Sequence, residues 1–188
     1  MNNKLLSVLS GAVLALTLAS TGAASAYAPH TGISARAEMQ TAALAPFAMQ
    51  VFCAKSPRQC AGAGTASQVT ATNDLLAVLS QVNRRVNAAI SPRNDRADSW
   101  SANSSAGDCE DYVLTKRTQL IRKGVPAGSL RIATTTTPWG EGHAVLVVKT
   151  SQGDYVLDNL SNQVKTLRAS GYRILSMSSS DPTRWIAG

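Results

Sequence analysis

The sequence predicts an α+β domain in which helices come first and an antiparallel sheet follows. Two observations carry this. Apolar residues recur at three- and four-residue intervals up to about residue 123, and β-branched runs separated by turn residues take over from residue 130. A chain of 188 residues with 44% apolar content is enough for one domain of ordinary size with a real core.

The first 26 residues carry Lys4, an apolar stretch from Leu5 to Ala19 and the small-residue run Ala24-Ser25-Ala26, the pattern of a secretory signal peptide cleaved before Tyr27. The stretch is too short and broken for a stable membrane span, so the mature protein is expected in the periplasm. Residues 27–50 are Ala-rich and aperiodic, which predicts a weakly ordered leader, and residues 51–188 form the domain.

From Asn73, Leu75, Leu76, Leu79, Val82, Val86, Ala89 and Ile90 draw one apolar stripe, a helix that stops at Ser91-Pro92. Residues 91–107 are polar and rich in Ser, Asn and Asp, a loop whose one large anchor is Trp100. A second helix opens at Asp108 as its N-cap, runs through Val113, Leu114, Leu120 and Ile121, and stops at Gly124-Val125-Pro126. Three or four strands follow, at Leu130–Thr135, Ala144–Thr150, Tyr155–Leu157 and Tyr172–Met177.

Export makes the cysteines interpretable. Three cysteines in an oxidising compartment suggest one bridge, between Cys53 and Cys60 on either side of Pro57, and one free thiol at Cys109. Losing the signal removes Lys4 and no acid, so the formal charge goes from +7 to +6. The basic residues, Arg84-Arg85, Lys116-Arg117 and Arg122-Lys123 among them, are dispersed and read as solvated helix faces. With aromatics at 5% and not interleaved with a basic block, nothing supports nucleic-acid binding.

Cys109 is the unusual residue. It stands at a helix start, where the dipole favours a thiolate, yet Asp108, Glu110 and Asp111 surround it and oppose that charge. Either a histidine or a bound cation must compensate. His30 lies beside the cleavage site, which leaves His143, at the head of the strand run His143-Ala144-Val145-Leu146. A hairpin through Ser151-Gln152-Gly153-Asp154 returns Asp158 to the same end, giving a nucleophile, a base and an orienting carboxylate in the order Cys, His, Asp.

Three blocks, Gly107-Asp108-Cys109-Glu110-Asp111-Tyr112, His143-Ala144-Val145-Leu146 and Val156-Leu157-Asp158-Asn159-Leu160, resemble the bacterial transglutaminase-like cysteine peptidases. That family includes periplasmic proteases that release large adhesins from the cell surface. Weaker matches at Phe52-Cys53, Cys60, Trp100 and Trp185 extend the likeness over roughly residues 50–188. Many members carry a Pro-x-Glu segment where this chain has Ser101–Ser105, a departure that bears on substrate preference.

The resemblance implies a papain-like arrangement with the cysteine helix packed on the sheet. It also implies a catalytic triad of Cys109, His143 and Asp158, and calcium held by Asp108, Glu110 and Asp111. The implied partners are a protein substrate such as a surface adhesin and an inhibitory membrane receptor. Cys109 N–H would meet the oxyanion, with the Trp100 indole a candidate second donor beside its alternative role in the core. Acyl transfer to an amine, amidase chemistry and a non-catalytic binding module are the competing functions.

Overall fold

The computed structural model describes residues 41–61, 66–94 and 99–188, all within the compact unit Met39–Gly188. The expected signal peptide, and the leader up to residue 40, lie outside the described residues. Residues 42–50, expected to be weakly ordered, instead carry strand β1 (Ala42–Ala43) and the start of helix α1 (Phe47–Lys55). The reason is burial: Ala48, Met49 and Phe52 enter the core. A short helix α2 (Pro57–Cys60) follows, tied to α1 by the Cys53–Cys60 disulfide.

Helix α3 (Asn73–Ala89) begins at Thr72, whose hydroxyl accepts the Leu75 N–H at 3.1 Å. It buries Leu79, Val82 and Val86 of the predicted stripe, with Asn83 beside them. Two short strands, β2 (Ser91–Pro92) and β3 (Ala106–Gly107), pair in parallel and close the loop that leads to helix α4 (Cys109–Arg122). Beyond a single 3-10 turn at Ala127–Ser129, the chain forms strands β4 (Leu130–Thr136), β5 (Gly142–Val148) and β6 (Tyr155–Leu157). The edge strand β7 (Lys165–Thr166), helix α5 (Leu167–Ser170) and strands β8 (Ser176–Ser178) and β9 (Trp185–Ala187) complete it.

Among the described residues the main sheet has seven strands in the order β1-β9-β8-β4-β5-β6-β7, every neighbouring pair antiparallel. Side-chain alternation sorts its two faces. Leu130, Ile132, Ala144, Leu146, Val148 and Leu157 face the core built with α3 and α4, and Ala133, Val145, Val147 and Val156 face a smaller cluster with Leu167, Tyr172, Ile174 and Met177. The last predicted strand is shifted: the sheet takes Ser176–Ser178, and Tyr172 stands outside it.

One expectation fails outright. Lys116 and Arg117, read as solvated, are both buried, with Lys116 fully inaccessible. Helix α4 is enclosed on several sides, so the face opposite the sheet is covered too. Arg117 donates from Nη1 to the Gln59 carbonyl at 2.7 Å, and Thr118 donates to Gln59 Oε1 at 3.0 Å, so the disulfide-bridged segment lies over it. Among the described residues no helix is long and apolar enough to cross a membrane.

Candidate active site

The site forms where the first turn of α4 meets the start of β5. Its helix start is fixed by Asp111 rather than by Asp108. The Asp108 side chain makes no capping bond to the first turn, while the Asp111 carboxylate, three residues on, takes the backbone N–H of Asp108, one arm of a capping box. Asp111 Oδ1 also accepts the Ser101 N–H at 2.8 Å and the Ser101 hydroxyl at 3.1 Å, pinning the preceding loop. Gly107 is required beneath it, since a Cβ there would sit 1.8 Å from Asp111 Oδ2.

Cys109 is the free thiol among the described residues, part-buried at the first helical position. Its Sγ–H donates to Glu110 Oε2 at 2.8 Å. Burial pushes the thiol up most, and the Glu110 hydrogen bond and charge push it further; the Ala144 backbone N–H, bonded to the sulfur, pulls the other way and loses. Burial first, and the Glu110 carboxylate second, thus favour the protonated thiol. The Ala144 contact has a second meaning, because it seats the sulfur against the residue next to His143.

The sheet side of the site is closed. Register pairs Leu146 with Leu157, and the chain leaves β6 in a turn where Asp158 Oδ1 accepts the Leu160 N–H at 2.9 Å. The same oxygen lies 2.9 Å from His143 Nε2, and Oδ2 accepts the Tyr172 hydroxyl at 2.6 Å. Asn87 Nδ2 reaches from α3 to the Asp158 carbonyl at 3.0 Å and fixes the turn from behind. Burial raises Asp158, but the hydrogen bonds from His143, Tyr172 and Leu160 outweigh it and hold the carboxyl below its usual range. An ionised carboxylate can only accept, so Nε2 carries the proton and Nδ1 is left as the ring's base.

The structure therefore brings His143 and Asp158 into contact and sets Cys109 beside their strand. It adds Tyr172, which the sequence reading missed; its ring centroid is 5.7 Å from that of His143. Only the Gly171 turn before it, at φ 74°, marks the place where the chain swings back. Trp100 is buried in the main core, as its alternative reading had it.

The three acids expected to hold a cation do not converge. Glu110 is committed to the thiol, Asp111 is turned inward to Ser101, and among the described residues no three carboxylate, thiol or imidazole side chains gather as a metal site. Burial raises the Asp111 carboxyl most, and the Asp108 charge adds to it. With the Ser101 hydroxyl the two carboxylates make an all-oxygen donor set, chemistry that suits a hard cation.

Beside Asp158 lies a cavity of about 170 Å³ lined by Trp139, Leu160 and Tyr172. Trp139 and Leu160 are largely exposed at its rim.

Structures of Legionella pneumophila LapG share this fold at a TM-score of 0.52. The calcium-bound form is 22% identical over 60% of this chain and 69% of its own. The EGTA-treated form is 23% identical over 61% and 68%, and a third LapG structure is 23% identical over 59% and 68%. No curated protein matches the sequence. The family model for bacterial transglutaminase-like cysteine proteinases matches residues 39–187, most of the chain, and with a thiol at a helix start facing a histidine strand the protein belongs to that family of cysteine peptidases.

Proposed function

We propose that this protein is an exported peptidase that cleaves a periplasmic or cell-surface protein through Cys109, His143 and Asp158. The observation that carries the reading is the His143 Nε2 to Asp158 contact of 2.9 Å, with the Cys109 sulfur seated on the neighbouring Ala144 N–H. His143 takes the thiol proton as Cys109 attacks a peptide carbonyl, then gives it to the leaving amine; the thioester is hydrolysed by water activated at the same imidazole. Because burial and the hydrogen bond donated to Glu110 favour the protonated thiol, proton removal accompanies attack instead of preceding it. The Cys109 N–H, at the positive end of α4, stabilises the oxyanion.

A large adhesin is the substrate class that the family resemblance suggests, and an inhibitory membrane receptor the regulator. Trp139 and Leu160 offer apolar surface for a substrate side chain beside Asp158. Incubation of the mature protein with candidate surface proteins tests the reading: wild type should cleave, and Cys109→Ala and His143→Ala should not. Cleavage retained by Cys109→Ala would sink it, and a transferred amine in the product would favour acyl transfer.

Calcium belongs to the same proposal, since LapG is known in calcium-bound and EGTA-treated forms. Asp108 and Asp111 would hold it, with Glu110 joining only on leaving the thiol, and the ion would offset carboxylate charge at the helix start. Calcium should raise the melting temperature by binding the native state preferentially, and magnesium should do so poorly. A melting temperature indifferent to calcium and chelator leaves the acids as helix-start and loop anchors alone.

A further inference from the structure

Trp139 is a large aromatic residue held out into solvent. It rides the turn between β4 and β5, where the Thr137 N–H donates to the Glu141 carbonyl at 2.8 Å and the Gly140 N–H donates to the Thr137 carbonyl at 2.9 Å. Gly140 stands at φ 84°, a conformation open to glycine and resisted by residues with a Cβ. The turn is thus closed on itself, yet Trp139 remains 79% exposed, and Leu160, which rims the same cavity, 56%. Large apolar side chains grouped on a surface in this way mark a place that binds.

Contacts join that cavity to the triad. Asp158 lines it, and its Oδ1 lies 2.9 Å from His143 Nε2. Tyr172 lines it as well, donating its hydroxyl to Asp158 Oδ2 at 2.6 Å and holding its ring centroid 5.7 Å from that of His143. Val156 and Lys165, paired across β6 and β7, complete the lining that matters here.

The two sheet faces decide which part of a substrate would enter. Cys109 packs against the main core, on the α4 face, with its sulfur on the Ala144 N–H. Val156 and Tyr172 belong to the cluster on the opposite face, and strand alternation puts His143 on that face with Val145 and Val147. The imidazole therefore stands between the sulfur and the cavity. When the thiol attacks a peptide, the acyl carbon stays on sulfur and the leaving nitrogen takes its proton from His143. Chain beyond that nitrogen is directed past the imidazole, toward Tyr172 and the cavity.

We propose that this cavity receives the side chain of the residue that follows the scissile bond, and that Trp139 and Leu160 select a neutral aliphatic one there, of leucine or methionine size. The proposal rests on the peptidase reading, with Cys109 and His143 in the roles given to them. At about 30 Å³ for each water, a space of about 170 Å³ suits a side chain of roughly five heavy atoms. A charged side chain would give up water for the walls of Trp139, Val156 and Leu160, between an anion at Asp158 and a cation at Lys165.

Amine partition tests this without a known protein substrate. N-benzyloxycarbonyl-glycine p-nitrophenyl ester would acylate Cys109 with loss of p-nitrophenolate. An amino-acid amide then attacks the thioester carbonyl: the new C–N bond forms, the C–S bond breaks, and His143 carries the amine proton to sulfur. The attacking amine occupies the place of the leaving amine in hydrolysis. Partition into amide over acid should favour leucinamide over glycinamide by at least about tenfold, with alaninamide between them and the amides of glutamate and lysine no better than alaninamide. Trp139→Ala and Leu160→Ser, both at exposed positions, should each bring leucinamide to within about threefold of glycinamide.

A flat series, a preference for glycinamide or a charged amide, or an unchanged leucinamide advantage in both variants would overturn the proposal. So would a Trp139 indole NMR signal that saturates with leucinamide while partition stays flat, since the cavity would then seat some other ligand's side chain. Failure of the ester to acylate Cys109, or acylation that persists in Cys109→Ala, would sink the peptidase reading and the scissile-bond assignment together. In that event a Trp139 signal that saturates with leucinamide and not with glycinamide would keep the cavity as an aliphatic side-chain site, and a signal indifferent to both would remove that as well.

Discussion

The two halves of the site are prepared differently. On the sheet, both carboxylate oxygens of Asp158 are engaged, by His143 and Leu160 on one and Tyr172 on the other, and the turn behind is held by Asn87. On the helix, the proposed nucleophile is engaged by another partner, since the Cys109 thiol donates to Glu110 the hydrogen that the proposed reaction must remove. The proposed base is preorganised and the proposed nucleophile is restrained. That asymmetry separates the site from one with a standing thiolate–imidazolium pair, whose cysteine reacts at low pH before substrate arrives.

The largest test of the comparison strikes the finished half. Asp158→Asn keeps the shape of the carboxylate but presents an amide that no longer requires the proton on Nε2. The tautomer is then free to invert, and hydrolysis should fall by about 10⁴, the scale of losing the orienting acid of a triad. Loss of less than tenfold would mean that the histidine is held by packing alone.

How much of this was legible follows the same division. Cys109, His143 and Asp158 sit in three short local blocks, and a hairpin of ordinary length returns Asp158 to His143, so neither needs distant information. Tyr172 reaches Asp158 from a separate stretch after Gly171, with no spacing to announce it. The strands β1, β7, β8 and β9 have two or three residues each, too short for alternation to register. Lys116 and Arg117 looked like a surface pair, although Val113 and Leu120, three before and four after Lys116, already placed it on the buried stripe. Nor does sequence distinguish adjacent acids: the 100° step along a helix sends Glu110 to the thiol and Asp111 inward, and only coordinates separate them.

A smaller effect is expected at Tyr172. Its hydroxyl is one of the bonds that hold Asp158 below the usual carboxyl range against the opposing effect of burial. Tyr172→Phe removes a hydrogen bond to a charged group, worth about 1.5–3 kcal/mol, and should raise the acid limb of hydrolysis. Stability carries the same sign. A depressed carboxyl contributes stability that is full above its unfolded value of 3.8 and lost as pH falls through the folded value. The variant should therefore show a smaller loss of stability in that acid range. An unchanged acid limb would make Tyr172 a packing residue and narrow the preorganised half to His143, Asp158 and Leu160.

The smallest effect, and the only gain, is expected at Glu110. Burial is the first cause of the raised Cys109 thiol, and it survives any change at the neighbour; the Glu110 hydrogen bond and charge come second. Glu110→Gln, assayed in chelator so that no cation confuses the comparison, removes the charge and offers an amide N–H in place of a carboxylate. The thiol should ionise more readily while staying above its ordinary 9.0, and alkylation at pH 8 should quicken by about tenfold for each unit regained. The raised thiol also contributes stability that is full below 9.0 and lost as pH rises toward the folded value, so the variant should lose less of it on the alkaline side. Faster alkylation with slower hydrolysis would show that Glu110 does more than restrain the sulfur. Equal alkylation rates in wild type and variant would mean that burial alone keeps the thiol protonated, and the contrast between the two halves would then be one of solvation, not of a competing partner.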